Sequence, residues 1–138
     1  MIHVFTDGGA RGNPGPAGIG VYIIDEEKNV LYAFGKAIGI ATNNVAEYKA
    51  LIAAFSWLVE NKLIVEGHKE VHFFLDSLLL VSQINGTFKV KNPHLKELLF
   101  AVREKEASLS VPMQYTHVPR EKNKEADRLV NEALDRLK

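Results

Sequence analysis

The chain predicts an α/β fold, a mixed sheet with helices on both faces. Three observations predict it. The first forty residues hold three β-rich runs separated by turns. Two apolar runs, "MIHVFTD" and "KEVHFFLD", each end in an aspartate. Segments with helical 3–4 spacing separate and follow the later strands. The order β-β-β-α-β-α-α-β-α is an antiparallel meander followed by crossovers through helices. The 138 residues are read as one domain, 1–138, long enough to bury a core.

Each element has its own reason. "MIHVFTD" reads as a buried strand ending at Asp7. A loop rich in glycine and proline follows. "AGIGVYIIDEEKNVLYAFGKAIGIAT" reads as a hairpin across the polar turn 25–29. Asn43 or Asn44 then suits a helix cap, since a short side-chain acceptor satisfies free first-turn amides. The helix "VAEYKALIAAFSWLVENK" aligns Leu51, Ala54, Phe55, Leu58 and Val59 in one apolar stripe. "KEVHFFLD" is a second buried strand, ending at Asp76. "SLLLVSQIN" is a short helix closed by Gly86. "FKVKNPHL" is a basic connection, and Pro93 suits the start of a helix over 93–107. "SVPMQYTHV" is the last strand, where Pro112 signals an edge or a distortion. Residues 121–137 close the chain as a helix with Leu129, Val130, Ala133, Leu134 and Leu137 along one side.

Composition narrows the classes. An apolar fraction of 46% and a charged fraction of 25% are those of an ordinary globular protein. Seventeen basic residues balance seventeen acidic ones, so net charge does not select for or against a nucleic-acid partner. The absence of cysteine excludes disulfides and thiolate metal sites. No segment approaches the roughly 20 apolar residues of a membrane helix, and none resembles a signal peptide. The expectation is a cytoplasmic monomer with no obligatory protein partner. The glycine loop lacks the Gly-Lys-Ser/Thr of an ATP cradle.

Four acids draw the chemistry together. In α/β sheets, ligands gather outside the carboxyl ends of the parallel strands. If the strands ending at Asp7 and Asp76 are parallel neighbours, the two carboxylates meet there. Each acid also has an ordinary reading by itself. Asp7 could form a turn with Gly8, and Asp76 could cap the next helix. Glu47 could complement a helix dipole, and Asp127 could be a surface acid. Converging, the four would repel one another unless a cation joined them. Hard carboxylate oxygens suit Mg²⁺ or Mn²⁺, and two such ions about 3.5–4 Å apart form the clamp of phosphodiester hydrolysis.

The sequence resembles the type 1 ribonuclease H family over essentially its whole length. Four separated blocks carry the resemblance: "FTDGGARGNPGPAG", "TNNVAEYKAL", "FLDSLLLVSQINGTFKVKN" and "HVPREKNKEADRLVNEAL". It is similar to the compact archaeal and bacterial members that carry "HVPRE" and lack an extra basic handle. The resemblance implies a ribonuclease H-like five-stranded mixed sheet and Mg²⁺- or Mn²⁺-dependent endonucleolytic cleavage of RNA paired with DNA. It places the catalytic acids at Asp7, Glu47, Asp76 and Asp127, with Asp7 bridging two ions. Glu47 and Asp76 would complete one site and Asp127 the other. Products would carry a 5′ phosphate and a 3′ hydroxyl.

The resemblance also assigns substrate contacts. Gly9, Ala10, Arg11 and Asn13 would approach the hybrid's minor groove, where 2′-hydroxyls are displayed. Asn13 and Thr42 match positions holding a DNA-strand phosphate. Asn43 and Asn44 match residues that read sugar and base edges. Leu78 stands where many relatives have Gln, and Gln83 is the candidate substitute. Arg120 and His117 compete for the mobile position before the last acid. Arg120 is preferred, with an electrostatic role, since arginine does not shuttle protons. Lys89, Lys91, Lys96 and His94 form a basic neighbourhood for distant phosphates. Trp57 and phenylalanines 55, 73 and 74 are read as core. Two other classes stay open: a non-catalytic hybrid-binding module, and a nuclease of the same fold with broader substrates such as duplex RNA.

Overall fold

The computed structural model describes residues 1–137. Strands β1 (Ile2–Ala10), β2 (Gly15–Ile24) and β3 (Val30–Ala41) come first. Helices α1 (Asn43–Glu60) and α2 (Lys62–Val65) lead to β4 (Val71–Leu75). Then follow α3 (Leu78–Ile84), α4 (Pro93–Ala107), β5 (Met113–His117), a 3-10 turn (Arg120–Lys122) and α5 (Lys124–Asp135). The strands form one sheet in the order β3-β2-β1-β4-β5. The first three pair antiparallel, and β4 joins β1 and β5 in parallel. The expected five-stranded mixed sheet is therefore present. Pro112 lies just ahead of the edge strand β5, where its carbonyl accepts from Val71 N at 3.0 Å.

Side-chain alternation assigns the two faces. Ile2, Val4, Val21 and Ile23 point to one face and are fully buried with Leu51, Phe55 and Leu58 of α1. Burying each such side chain stabilises the fold by roughly 1.5–3 kcal/mol. The stacked pair Phe55–Phe73 fills the centre of this layer, with ring centroids 4.8 Å apart. Helix α5 covers the opposite face over β2 and β3. Glycines let both helices press onto the sheet. A Cβ on Gly8 would stand 2.2 Å from the Ala46 carbonyl oxygen of α1. On Gly20 it would stand 2.2 Å from the Ala126 carbonyl oxygen of α5, and on Gly35 2.5 Å from that of Leu129.

Several local expectations are corrected. β1 does not end at Asp7 but runs on to Ala10, pairing Gly8, Gly9 and Ala10 with Ile19, Gly18 and Ala17. The glycine-rich loop shrinks to residues 11–14, with a cis Asn13–Pro14 bond. Thr42, not Asn43 or Asn44, caps α1, because its backbone is extended and its hydroxyl accepts from Val45 N at 3.2 Å. Ser77, not Asp76, caps α3 in the same way. The short α2 was not expected. The last helix begins at Lys124, after the 3-10 turn, and Leu137 lies beyond its end at 60% exposure. Phe74 is half-buried on the α5 side of the sheet, stacked on Phe5 and His72, outside the core, whereas Trp57 is half-buried against Tyr32 and packs on the core as expected.

β3 is the other edge and is irregular. Its pairing with β2 slips twice, leaving Leu31 and Ile38 as extra residues on the β3 side.

Gly8→Ala and Gly20→Ala are each expected to destabilise by about 1–3 kcal/mol, because a backbone carbonyl occupies the space. Gly86→Asn, at φ +81 with nothing within 4 Å, is expected to stay near wild type. Thermal unfolding of the three variants checks the contrast.

Candidate active site

The parallel ladder of β1 and β4 ends at the pair Thr6–Leu75. The next residue on each strand is an aspartate, so Asp7 and Asp76 stand together at the carboxyl edge. Glu47 reaches them from the second turn of α1. One carboxylate oxygen from each of Asp7, Glu47 and Asp76 lies within 4.8 Å of the others. Asp127, in the first turn of α5, lines the same cleft of about 480 Å³. Asp7 shares its face with Gly20, its partner across the β1–β2 ladder. The bare Gly20 therefore admits α5 right beside Asp7.

The electrostatics are those of acids held too close. Burial raises the Asp7 pKa, and the charges of Glu47, Asp76 and Asp127 raise it further. Burial also raises Glu47. The Gly8 amide, donating to Glu47 Oε1 at 2.9 Å, and the nearby Arg120 charge oppose that shift. Glu47 Oε2 and Asp76 Oδ2 are buried with no hydrogen-bond partner. Buried carboxylate oxygens left free beside one another fit a hard divalent cation. The clustered side chains are all carboxylates, so the donor set is oxygen.

The cleft also gathers Gly9, Ala10, Arg11, Asn43, Asn44 and Arg120. Asn43 holds the hairpin: its Oδ1 accepts from Ala10 N at 2.8 Å, and its own N donates to Asn13 Oδ1 at 3.0 Å. Arg11 donates to Asp135 Oδ1 at 2.8 Å and so is fastened to α5. Asn13, Thr42 and Asn44 line an adjoining pocket of about 370 Å³ with Asn92 and His94.

Four candidates lie elsewhere. His117 pairs with Leu75 as the last residue of β5 and does not line the cleft, whereas Arg120, three residues later in the 3-10 turn, does. Gln83 is buried, and its Oε1 accepts from the Tyr48 hydroxyl at 2.6 Å, so it does not replace the missing polar side chain at Leu78. Lys89 lines a separate groove of about 680 Å³ with Phe88, Lys96 and Phe100, and Lys91 is exposed outside both.

Two cleft residues were not anticipated. Ser77 caps α3 from the cleft wall, and Asn131 lies one turn after Asp127. The signals were the Asp-Ser pair ahead of an apolar helix and the spacing of four from the last acid.

The family described as "Reverse transcriptase-like" matches residues 5–133. A bifunctional protein of Mycobacterium tuberculosis is 45% identical over 135 residues, 97% of this chain and 35% of its own length. Ribonuclease HI of Halobacterium salinarum is 37% identical over 97% of this chain and 64% of its own. The chain thus spans about a third of the mycobacterial relative. Among solved structures, LC11-RNase H1, isolated from compost, superposes with a TM-score of 0.93 at 47% identity, covering 99% of this chain and 97% of that one. The same protein in complex with an RNA/DNA hybrid gives 0.90 at 45%, covering 99% of each. Likeness at this level in both sequence and backbone, across nearly the whole chain, means that it belongs to the reverse transcriptase-like family as a type 1 ribonuclease H.

Proposed function

We propose that the chain is an endoribonuclease that hydrolyses the RNA strand of RNA–DNA hybrids, leaving 5′-phosphate and 3′-hydroxyl ends. The observation that carries this reading is the meeting of Asp7, Glu47 and Asp76 oxygens within 4.8 Å, in a cleft that Asp127 also lines. The hybrid bound to LC11-RNase H1 supports the substrate. Asp7, Glu47 and Asp76 would hold one Mg²⁺ or Mn²⁺, and Asp7 with Asp127 a second. A bound ion supplies Lewis-acid charge that activates water and neutralises the scissile phosphate.

The chain's own groups do the rest. Gly9 and Ala10 have little or no side chain, so backbone can approach the minor groove. Arg120 lines the cleft, and its guanidinium steadies phosphate there. In the adjoining pocket, three side chains each have an acceptor already engaged by a backbone amide while their donors remain. Asn13 Oδ1 takes Asn43 N, Thr42 Oγ1 takes Val45 N, and Asn92 Oδ1 takes Leu95 N at 3.1 Å. The amide and hydroxyl hydrogens left over suit a phosphate of the DNA strand. Lys89 and Lys91 would meet more distant phosphates, and their contribution would weaken with salt.

A labelled hybrid with Mg²⁺ or Mn²⁺ is expected to yield shortened RNA and intact DNA, with duplex RNA as a parallel substrate. RNA left whole in both ions would overturn the proposal. Asp7→Asn and Asp127→Asn are each expected to lower cleavage by at least about 10²–10³-fold, the scale of losing one preorganised electrostatic group. Hybrid binding should largely survive in both. Arg120→Ala is expected to lower kcat on the order of tenfold, about 1.4 kcal/mol, while His117→Ala stays near wild type.

The acid cluster also sets a pH dependence. A carboxyl whose folded pKa is raised stabilises the fold fully below the ordinary carboxylate range, and that stability is lost as pH rises through the folded value. Metal-free protein should therefore melt at lower temperature as pH climbs from about 5 to about 9, and Mn²⁺ should reverse the loss. Asp7→Asn should melt above wild type without metal and gain little from Mn²⁺. Calorimetric melting in chelator and in Mn²⁺ reads both effects.

A further inference from the structure

Asn123 stands at the junction of the 3-10 turn and α5 and is 1% exposed. It occupies the N-cap position of α5, yet its side chain makes no capping bond. Instead its Nδ2 donates to the Thr6 carbonyl at 2.9 Å, across 117 residues of sequence. That carbonyl belongs to the peptide group joining Thr6 to Asp7, just where the β1–β4 ladder stops. The backbone of Asn123 grips the site as well. Its N–H donates to the Arg120 carbonyl at 2.9 Å, and its carbonyl accepts from Asp127 N at 3.1 Å.

One residue therefore bonds to the peptide that carries Asp7, to Arg120 and to Asp127. Its Oδ1 is buried with no hydrogen-bond partner. A half-satisfied buried amide is costly, and an Asn used as a cap would have gained stability by turning to α5. Capping does not account for this arrangement.

We infer that Asn123 is a positioning residue: the bond from its Nδ2 to the Thr6 carbonyl sets the separation between Asp127 and the Asp7–Glu47–Asp76 cluster. The inference rests on the hydrolytic reading of the cleft, since that separation matters only if the four acids act together.

Asn123→Asp and Asn123→Ser test it. Both are favoured N-cap residues, so a capping role would tolerate them. Asp keeps the shape but, when ionised, lacks the donor, so its readings are taken at the high end of the working pH range; Ser keeps a donor but not the reach, without adding charge. At a temperature where each variant retains the wild-type circular dichroism, kcat on the hybrid is expected to fall about 10- to 100-fold, the scale of a small misplacement of reacting groups. KM should stay within about twofold. A Mn²⁺ binding isotherm without substrate should shift several-fold weaker in both variants. Wild-type kcat and isotherm in both would overturn the inference. So would failure of both to fold at any temperature, which would make the bond a fold-holding one. If the wild-type chain cuts no RNA, the hydrolytic reading falls, while the isotherm still decides whether Asn123 sets the acids' spacing.

Discussion

Two backbone carbonyls sit where side chains would otherwise begin. Ala46 O of α1 occupies the Cβ position of Gly8, and Ala126 O of α5 occupies that of Gly20. In each helix the very next residue is an acid, Glu47 in one and Asp127 in the other. β1 and β2 thus act as a floor against which two helices are pressed from opposite faces, and each contact delivers one carboxylate beside Asp7. The parallel β1–β4 ladder delivers the last, Asp76, by stopping in register at Thr6 and Leu75. The gathering of the acids is a consequence of close packing at two glycines rather than of any flexible loop.

Close packing brings a cost that the metal-free fold carries. Carboxylates forced together and partly out of water repel, and the free Glu47 and Asp76 oxygens have no protein donor to offset it. Hydrophobic stability from the α1 layer holds an arrangement that is unfavourable until a cation joins it. Arg120 and the Gly8 amide relieve part of the strain on Glu47. This division, apolar core on one face and stored repulsion at one edge, is the usual signature of a site whose geometry is preorganised.

The order of strands and helices was legible because period and punctuation were strong: two apolar runs ended in aspartate, and Pro93 and Gly86 marked boundaries the structure keeps. The convergence of Asp7 and Asp76 followed from one conditional, that their strands are parallel neighbours. Competition among polar residues was not legible. Thr42, Asn43 and Asn44 are all good caps, and the choice fell to Thr42 because Asn43 is drawn across to Ala10. His117 had the spacing of a loop histidine, but β5 holds it in a ladder. Gln83 reads as free in the sequence, yet the Tyr48 hydroxyl lies against it. In each case the deciding partner is distant in sequence, so local pattern could not reveal it. The role of Asn123 was hidden for the same reason.

The long outer strand β3 has a different consequence. A straight, flat strand at the border of a sheet offers unpaired amides and carbonyls as a template on which a neighbour can zip. Here Leu31 and Ile38 throw the backbone out of step at both ends, and Gly39 turns it into the left-handed region with φ +84. An incoming strand would lose alignment within a few residues. The twelve-residue border therefore keeps its length for supporting α5 while denying other chains a continuous seam.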